Sequence, residues 1–294
     1  MKSRMLSNMF MLMMWTAVMS SCEKMTLSEG VGEDGRGKAN VILRVNRFEQ
    51  IPLESKTRAE VGNVCTNLCF YVYDENGAKV DHVTQKQDGT DFGVASFSLA
   101  EGHYYLVVIG HSASRNPSFY DNAKVTISGS LLGDTFWCCE ELEVGDEEIH
   151  KDLILSRIVS LVRFLPYDNA PDGMDQMLFR YRGSRGTFSG LTGYGSTTAS
   201  QSVDLSVADT DRQFEFYIIP RDEEDAIDVT VQTYSHDDVG IHSLTEKTIS
   251  GIPLRRNHVT ICKGNLFDND SSSKSVFLTI SVEDDWEGEI PVNF

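Results

Sequence analysis

Short runs of apolar residues at period two, separated by turn signals, constrain this chain more than any other feature. Ile227, Val229, Val231 and Thr233 alternate with Asp228, Thr230 and Gln232, and Val276, Leu278, Ile280 and Val282 alternate in the same way. Side chains two apart lie on one face of a strand, so each run predicts a strand with one buried face. Comparable runs place strands over residues 39–45, 68–73, 79–83, 92–99, 103–110, 135–144, 147–155, 158–165, 177–182, 203–207, 213–219 and 259–263. Asn76-Gly77 marks a hairpin, because both turn positions need residues that tolerate positive φ. Glu101-Gly102 and Gly145-Asp146 mark two further turns. The run Tyr104-Tyr105-Leu106-Val107-Val108-Ile109 is apolar on both faces, which predicts a central strand covered on both sides. Many short strands with no long amphipathic helix predict an all-β chain built from β-sandwiches.

The first 22 residues set the compartment. Lys2 and Arg4 precede an apolar run over residues 9–19, and small residues stand just before Cys22. This pattern predicts a secretory signal over residues 1–21. The run falls well short of the ~20 residues that a membrane-spanning helix needs. Met19-Ser20-Ser21-Cys22 resembles the lipobox of bacterial lipoproteins, which implies cleavage before Cys22 and acyl chains on that residue; several chains hold a protein to a membrane where one does so only marginally. Residues 22–38 are rich in glycine and charge and read as a flexible tether. The remaining length suffices for two β-sandwiches, over residues 39–155 and 156–294, with no evident linker between them.

Charge narrows the partners. The chain carries 26 Lys+Arg against 44 Asp+Glu, and removing Lys2 and Arg4 leaves 24 against 44, a net charge of −20. Nucleic-acid binding rests on cationic contacts to phosphate and is excluded as a main role. An acidic surface also stays away from anionic lipid, so attachment to a membrane is expected to be covalent. Besides Cys22 there are five cysteines, Cys65, Cys69, Cys138, Cys139 and Cys262, an odd number without a zinc-ligand spacing. They read as small core residues.

Motifs for catalysis or cofactors are missing from the sequence. Residues 183–200, the most glycine-rich segment, lack Gly-Lys-Ser/Thr and precede no predicted helix, so a surface loop is expected instead of a phosphate cradle. His236-Asp237-Asp238 with His242 reads as a solvated turn. Asp268-Asn269-Asp270 lacks the glycine and distant glutamate of an EF-hand. The carboxylate runs over residues 140–148 and 222–225 read as solvated edges and not as a glycosidase pair. No cofactor and no metal are expected.

Several segments, taken in order, resemble one family. They are residues 63–80 (NVCTNLCFYVYDENGAKV), 91–119 (DFGVASFSLAEGHYYLVVIGHSASRNPSF), 134–164, 179–195 (FRYRGSRGTFSGLTGYG), 256–267 (RNHVTICKGNLF) and 284–289 (DDWEGE). Together they are similar to the fimbrillin-associated anchor family of Bacteroidota, the lipoproteins at the base of fimbriae and their tip and accessory relatives. The resemblance implies two tandem transthyretin-like β-sandwich domains and a lipid anchor in the outer membrane. It implies a structural role without catalysis, with fimbrial stalk or accessory subunits as partners. Joining would proceed by strand complementation, in which main-chain hydrogen bonds supply affinity and side-chain pockets supply register. In stalk-forming relatives a trypsin-like cut frees a groove; here the matching site is Arg58-Ala59, which is expected to remain uncut. A different reading is a surface glycan-binding lipoprotein with Tyr120, Tyr181 or Tyr194 as sugar platforms for a host or microbial surface ligand.

Overall fold

The computed structural model describes residues 38–48, 64–128, 132–207 and 213–268, and the backbone of residues 288–293. In chain order the strands are β1 (Val41–Phe48), β2 (Asn67–Asp74), β3 (Lys79–Lys86), β4 (Val94–Phe97), β5 (Gly102–His111), β6 (Ser118–Asp121), β7 (Lys124–Thr126), β8 (Thr135–Val144) and β9 (Ile149–Arg157). They continue as β10 (Ser160–Pro166), β11 (Gln176–Arg182), β12 (Thr187–Phe188), β13 (Ser200–Ser206), β14 (Phe214–Ile218), β15 (Asp225–His236), β16 (Ile241–Leu254), β17 (His258–Gly264) and β18 (Gly288–Asn293). The architecture is all-β, as the alternation predicts. The predicted strand over residues 276–282 lies outside the described residues.

Seven of the first nine strands enclose one core, while β6 and β7 join β12 in a separate sheet. These seven are joined in the order β3-β2-β5-β8-β9-β1-β4. Although β8 and β9 are consecutive across a short turn, they pair only at Phe136↔Arg157 and Trp137↔Ser156. Away from that joint β8 runs along β5 and β9 runs along β1, so the sheet folds into two layers. Their inner faces meet through Leu43, Phe48, Phe70, Leu106, Phe136 and Leu155, all essentially inaccessible. Where the two strands have splayed, Lys151 bridges the gap to Glu140 at 2.8 Å. The hairpin forms at Asn76-Gly77, but not with positive φ at both positions: only Gly77 has it, at +78°, the ladder is shifted between Val72 and Tyr73, and Asp74 Oδ1 accepts the amides of Asn76 and Ala78.

The later strands repeat this arrangement. Their layers are β13-β11-β15-β16 and β14-β10-β17-β18, and the core between them contains Phe164, Phe179, Phe216, Val229 and Ile252. The first half has β3-β2-β5-β8 over β4-β1-β9, so β1, β2, β3, β4, β5, β8 and β9 correspond in chain order to β10, β11, β13, β14, β15, β16 and β17. Directions agree as well, since β1 is parallel to β9 and β10 is parallel to β17. Among the described residues β18 has no counterpart in the first half; it lies beside β17, parallel to it.

A third cluster joins the halves. Leu106 and Val108 of β5 enter the first core, whereas Val107 and Ile109 enter a cluster with Ile158, Val159, Phe188 and Ile219. This explains the double-sided apolar run: its second face is covered by the other half of the same unit, which spans residues 39–294. The same cluster corrects the expectation for residues 183–200. Residues 191–192, 196 and 198–200 are exposed as expected, but the earlier part is packed in: Phe188 is fully buried, β12 pairs with β7, and Trp137 Nε1 donates to the Gly190 carbonyl at 2.7 Å. Glycine is needed there for close approach, because a Cβ at Gly190 would stand 2.6 Å from the Asn122 carbonyl and one at Gly186 2.5 Å from the Ile127 carbonyl.

Candidate functional site

The candidate site is built around β1, the first described strand. β1 is held on both sides, antiparallel to β4 and parallel to β9. Val41, Leu43, Val45 and Phe48 are at most 3% exposed, so the strand also supplies four core side chains. Its entry is clamped by Asn40, whose side chain donates to the Leu99 carbonyl at 2.8 Å and accepts the Leu99 amide at 2.9 Å. Further along, the Val45 amide donates to the Gly93 carbonyl at 2.8 Å.

From β1 a chain of parallel contacts runs through both halves. β1 lies along β9; β9 continues through the buried pair Ile158-Val159 into β10; β10 lies along β17, and β17 along β18. Parallel ladders have evenly spaced, slanted bonds, so each contact is a continuous seam.

The turn from β9 to β10 is stiffened by Arg157. Its guanidinium, 8% exposed, donates in bidentate fashion to Asp134 at 2.8 and 2.9 Å and to Asn257 Oδ1 at 2.8 Å, and lies over the Phe136 ring at 4.9 Å. Asn257, in a left-handed conformation at φ +56°, donates its amide to the Val159 carbonyl. The neighbouring Arg256 stacks on Tyr194 and donates to the Thr192 carbonyl, tying the turn before β17 to the glycine-rich segment.

One titratable group sits at this joint. His111 is completely buried beside Cys69, and burial pulls its pKa down from 6.5 to about 4. The imidazole is therefore neutral in the fold at neutral pH. A group whose folded pKa is depressed stabilises fully above its unfolded pKa and loses that contribution as pH falls. Stability should decline from about pH 6.5 to about pH 4 by on the order of 3 kcal/mol from this residue. Denaturant midpoints at pH 7.5 and pH 4.5 should differ clearly for the native chain and much less for His111→Gln.

The other predicted residues fall as follows. Cys22, Arg58 and Ala59 lie outside the described residues. The five remaining cysteines form no disulfide among the described residues; four are buried and Cys139 is half-buried, and burial pushes the Cys65, Cys69 and Cys262 thiols up to about 12. The stretch expected as a solvated turn is exposed and joins β15 to β16, which extend through His236 and His242; its histidines form two separate pairs, His236 Nδ1 with Asp175 at 2.7 Å and His242 Nε2 with Asp237 at 3.1 Å. Among the described residues no group of three or more ligating side chains could hold a metal. Of the carboxylate run at 222–225, Asp225 is buried, not solvated; burial raises its pKa, but hydrogen bonds from Arg221 and from the Arg221 and Ala226 amides outweigh that and hold the carboxyl below its usual range.

The tyrosines expected as sugar platforms do not act as a set. Tyr181 is 4% exposed and stacks on Phe216 inside the second core, and the ring of Tyr194 is covered by Arg256 at 3.3 Å. Tyr120 alone of the three stands out at 68% exposure, with Lys124 over its ring. Tyr181 faces inward because it follows Met177 and Phe179 at period two on β11.

No protein-family model matches the chain, and no curated protein matches it. Solved structures resemble it at low identity. A candidate adhesin from Bacteroides ovatus aligns with a TM-score of 0.48 and 9% identity over 71% of this chain and 75% of that one. The fimbrial anchor protein Mfa2 from Porphyromonas gingivalis aligns with a TM-score of 0.40 and 12% identity over 70% and 81%. A fimbrial assembly protein from Parabacteroides distasonis aligns with a TM-score of 0.39 and 13% identity over 78% and 91%. At these values the role of this chain has to be derived from its own residues.

Proposed function

We propose that this chain is an outer-membrane lipoprotein that serves as a fimbrial anchor or accessory tip subunit. In this reading residues 39–155 and 156–294 are two tandem transthyretin-like sandwich domains, Cys22 carries the lipid, and fimbrial subunits join by β-strand complementation. The observation that carries it is the run of parallel seams from β1 to β18. Tension between a membrane at the start of β1 and a load at the end of β18 pulls parallel neighbours in opposite senses along their length. Each seam is then sheared, and its hydrogen bonds resist together instead of opening one at a time. Forced unfolding is governed by the unfolding rate, which such shear geometry keeps low. The order of the fimbrillin-anchor-like segments supports the same reading, as does the lipobox-like Cys22. β18 supports the mode of joining, since a strand added beside β17 at a sheet edge is the geometry of strand addition.

The test is made in cells. Cys22→Ala should move the protein from the membrane to the soluble fraction and shed fimbriae into the medium, and a pull-down with the native chain should recover fimbrial subunits. Unchanged fractionation would remove the lipid anchor from the reading, and recovery of no fimbrial subunit would remove the partner. N-terminal sequencing of the cell-derived protein should not begin at Ala59; a chain starting there would mean that Arg58 is processed.

A further inference from the structure

On the outer face of the layer β13-β11-β15-β16 lies an open groove of about 580 Å³, lined from β11 by Arg180 and Arg182, from β13 by Ser200 and Ser202, and from β15 by Asp228 and Thr230. The register sets this composition. Arg180 stands between Ser202 and Thr230, and Arg182 lies opposite Ser200. Residues two apart on a strand point the same way about 7 Å apart, so both guanidiniums rise from one face. Both are exposed.

In a chain with 44 acidic residues against 26 basic ones, Arg157, Arg163 and Arg221 each hold a carboxylate, whereas Arg180 and Arg182 have no ion-pair partner among the described residues. Asp204 accepts from Gln176, and Asp228 Oδ1 accepts the Gly251 amide at 2.8 Å; these donors are neutral, so Asp228 keeps its charge and the groove sets two guanidiniums against one carboxylate, a net positive charge. Two adjacent like charges left unpaired repel each other, and an anion between them removes that repulsion while gaining forked, charge-assisted hydrogen bonds. Around them the groove offers hydroxyls that donate and accept, and a carboxylate that only accepts. That mixture suits sugar hydroxyls.

We propose that this groove binds an acidic polysaccharide, with Arg180 and Arg182 sharing a sulfate or carboxylate of the glycan and Ser200, Ser202 and Thr230 receiving the flanking hydroxyls. The site is separate from the β1 to β18 load path and from the tyrosines discussed above. It would let a protein attached at one end hold a glycan on the flank of its second half.

The purified full chain is tested at physiological salt against dextran sulfate, polygalacturonate and unmodified dextran, which separate sulfate, carboxylate and neutral polymer. The expected result is binding of one or both acidic polymers and none of dextran. Arg180→Ser/Arg182→Ser should weaken binding by about tenfold or more, corresponding to the loss of charge-assisted hydrogen bonds. The charge-matched control Arg44→Ser/Arg47→Ser, on two exposed positions of β1, should stay within about twofold, because rim charges remote from the groove act only through the screened field. A thermal melt of each variant confirms the fold. Absence of binding to both acidic polymers, equal binding of dextran, undiminished binding by the groove variant, or equal loss in both variants would each overturn the proposal.

Discussion

Replacing Arg157 with leucine is expected to lower the unfolding free energy by about 3–5 kcal/mol and to split one cooperative denaturation transition into two. The guanidinium is 8% exposed, and its partner Asp134 is 22% exposed. Removing the cation leaves a partly buried carboxylate and the side-chain oxygen of Asn257 without their donor, which costs more than the pair itself contributes. The double variant Arg157→Leu/Asp134→Leu should recover a substantial part of the loss, because it removes the stranded charge as well. Recovery would locate the penalty in the uncompensated Asp134; no recovery would locate it in the contact to Asn257. The splitting has its own origin. Arg157 ties β9, the residue before β8 and the turn before β17 together, whereas each half keeps a core of its own. Chemical denaturation followed by tryptophan fluorescence and by circular dichroism should coincide in the native chain and separate in Arg157→Leu.

That joint also marks where sequence reasoning stops. β8 was legible to the residue, since residues 135–144 are bounded by a turn and rich in apolar and β-branched side chains. β5 was legible through its two-sided apolar run, but not the identity of what covers its second face. β16 escaped because an edge strand with one solvated face needs few apolar residues; over Ile241–Leu254 only Ile249, Ile252 and Leu254 are buried. β6, β7 and β12 have two to four residues each, too few for a period, and exist through tertiary pairing. Glycine carries no hydrophobic signal, so the burial within residues 183–193 is hidden in the sequence, although Phe188 among them is a hint. The bonds from Arg157 to Asp134 and Asn257 span 23 and 100 positions, and no local pattern encodes them. The repeated topology of the halves is likewise invisible in sequence, since period-two alternation specifies a face and not a neighbour. Arg180 and Arg182 looked like ordinary strand charges until the register set them beside serine and threonine.

A chain cut after Arg58 is expected to keep its first strand. If an engineered protease site at residues 57–59 is cleaved to completion in the purified protein, the short piece containing β1 should co-elute with the remainder on size exclusion and separate only in denaturant. β1 is a central strand of its layer, bonded to β4 on one side and β9 on the other, so it cannot be peeled from a single edge. Release would expose Val41, Leu43, Val45 and Phe48 to water and open the first core at the same time. The Asn40 clamp holds the N-terminal end of β1, where tension would enter on the proposed anchor role. Leu43→Ala tests this directly: truncating a fully buried leucine costs roughly 2–5 kcal/mol, which raises escape of the cut piece by tens to thousands of times. Loss of the native piece at the same rate as the Leu43→Ala piece would mean that β1 contributes no lasting hold. Retention would mean that a cut at Arg58 leaves the piece containing β1 coupled to the rest of the chain through hydrogen bonds and packing alone; on the proposed anchor role, the strength of attachment would then be set by β1 and not by the continuity of the backbone.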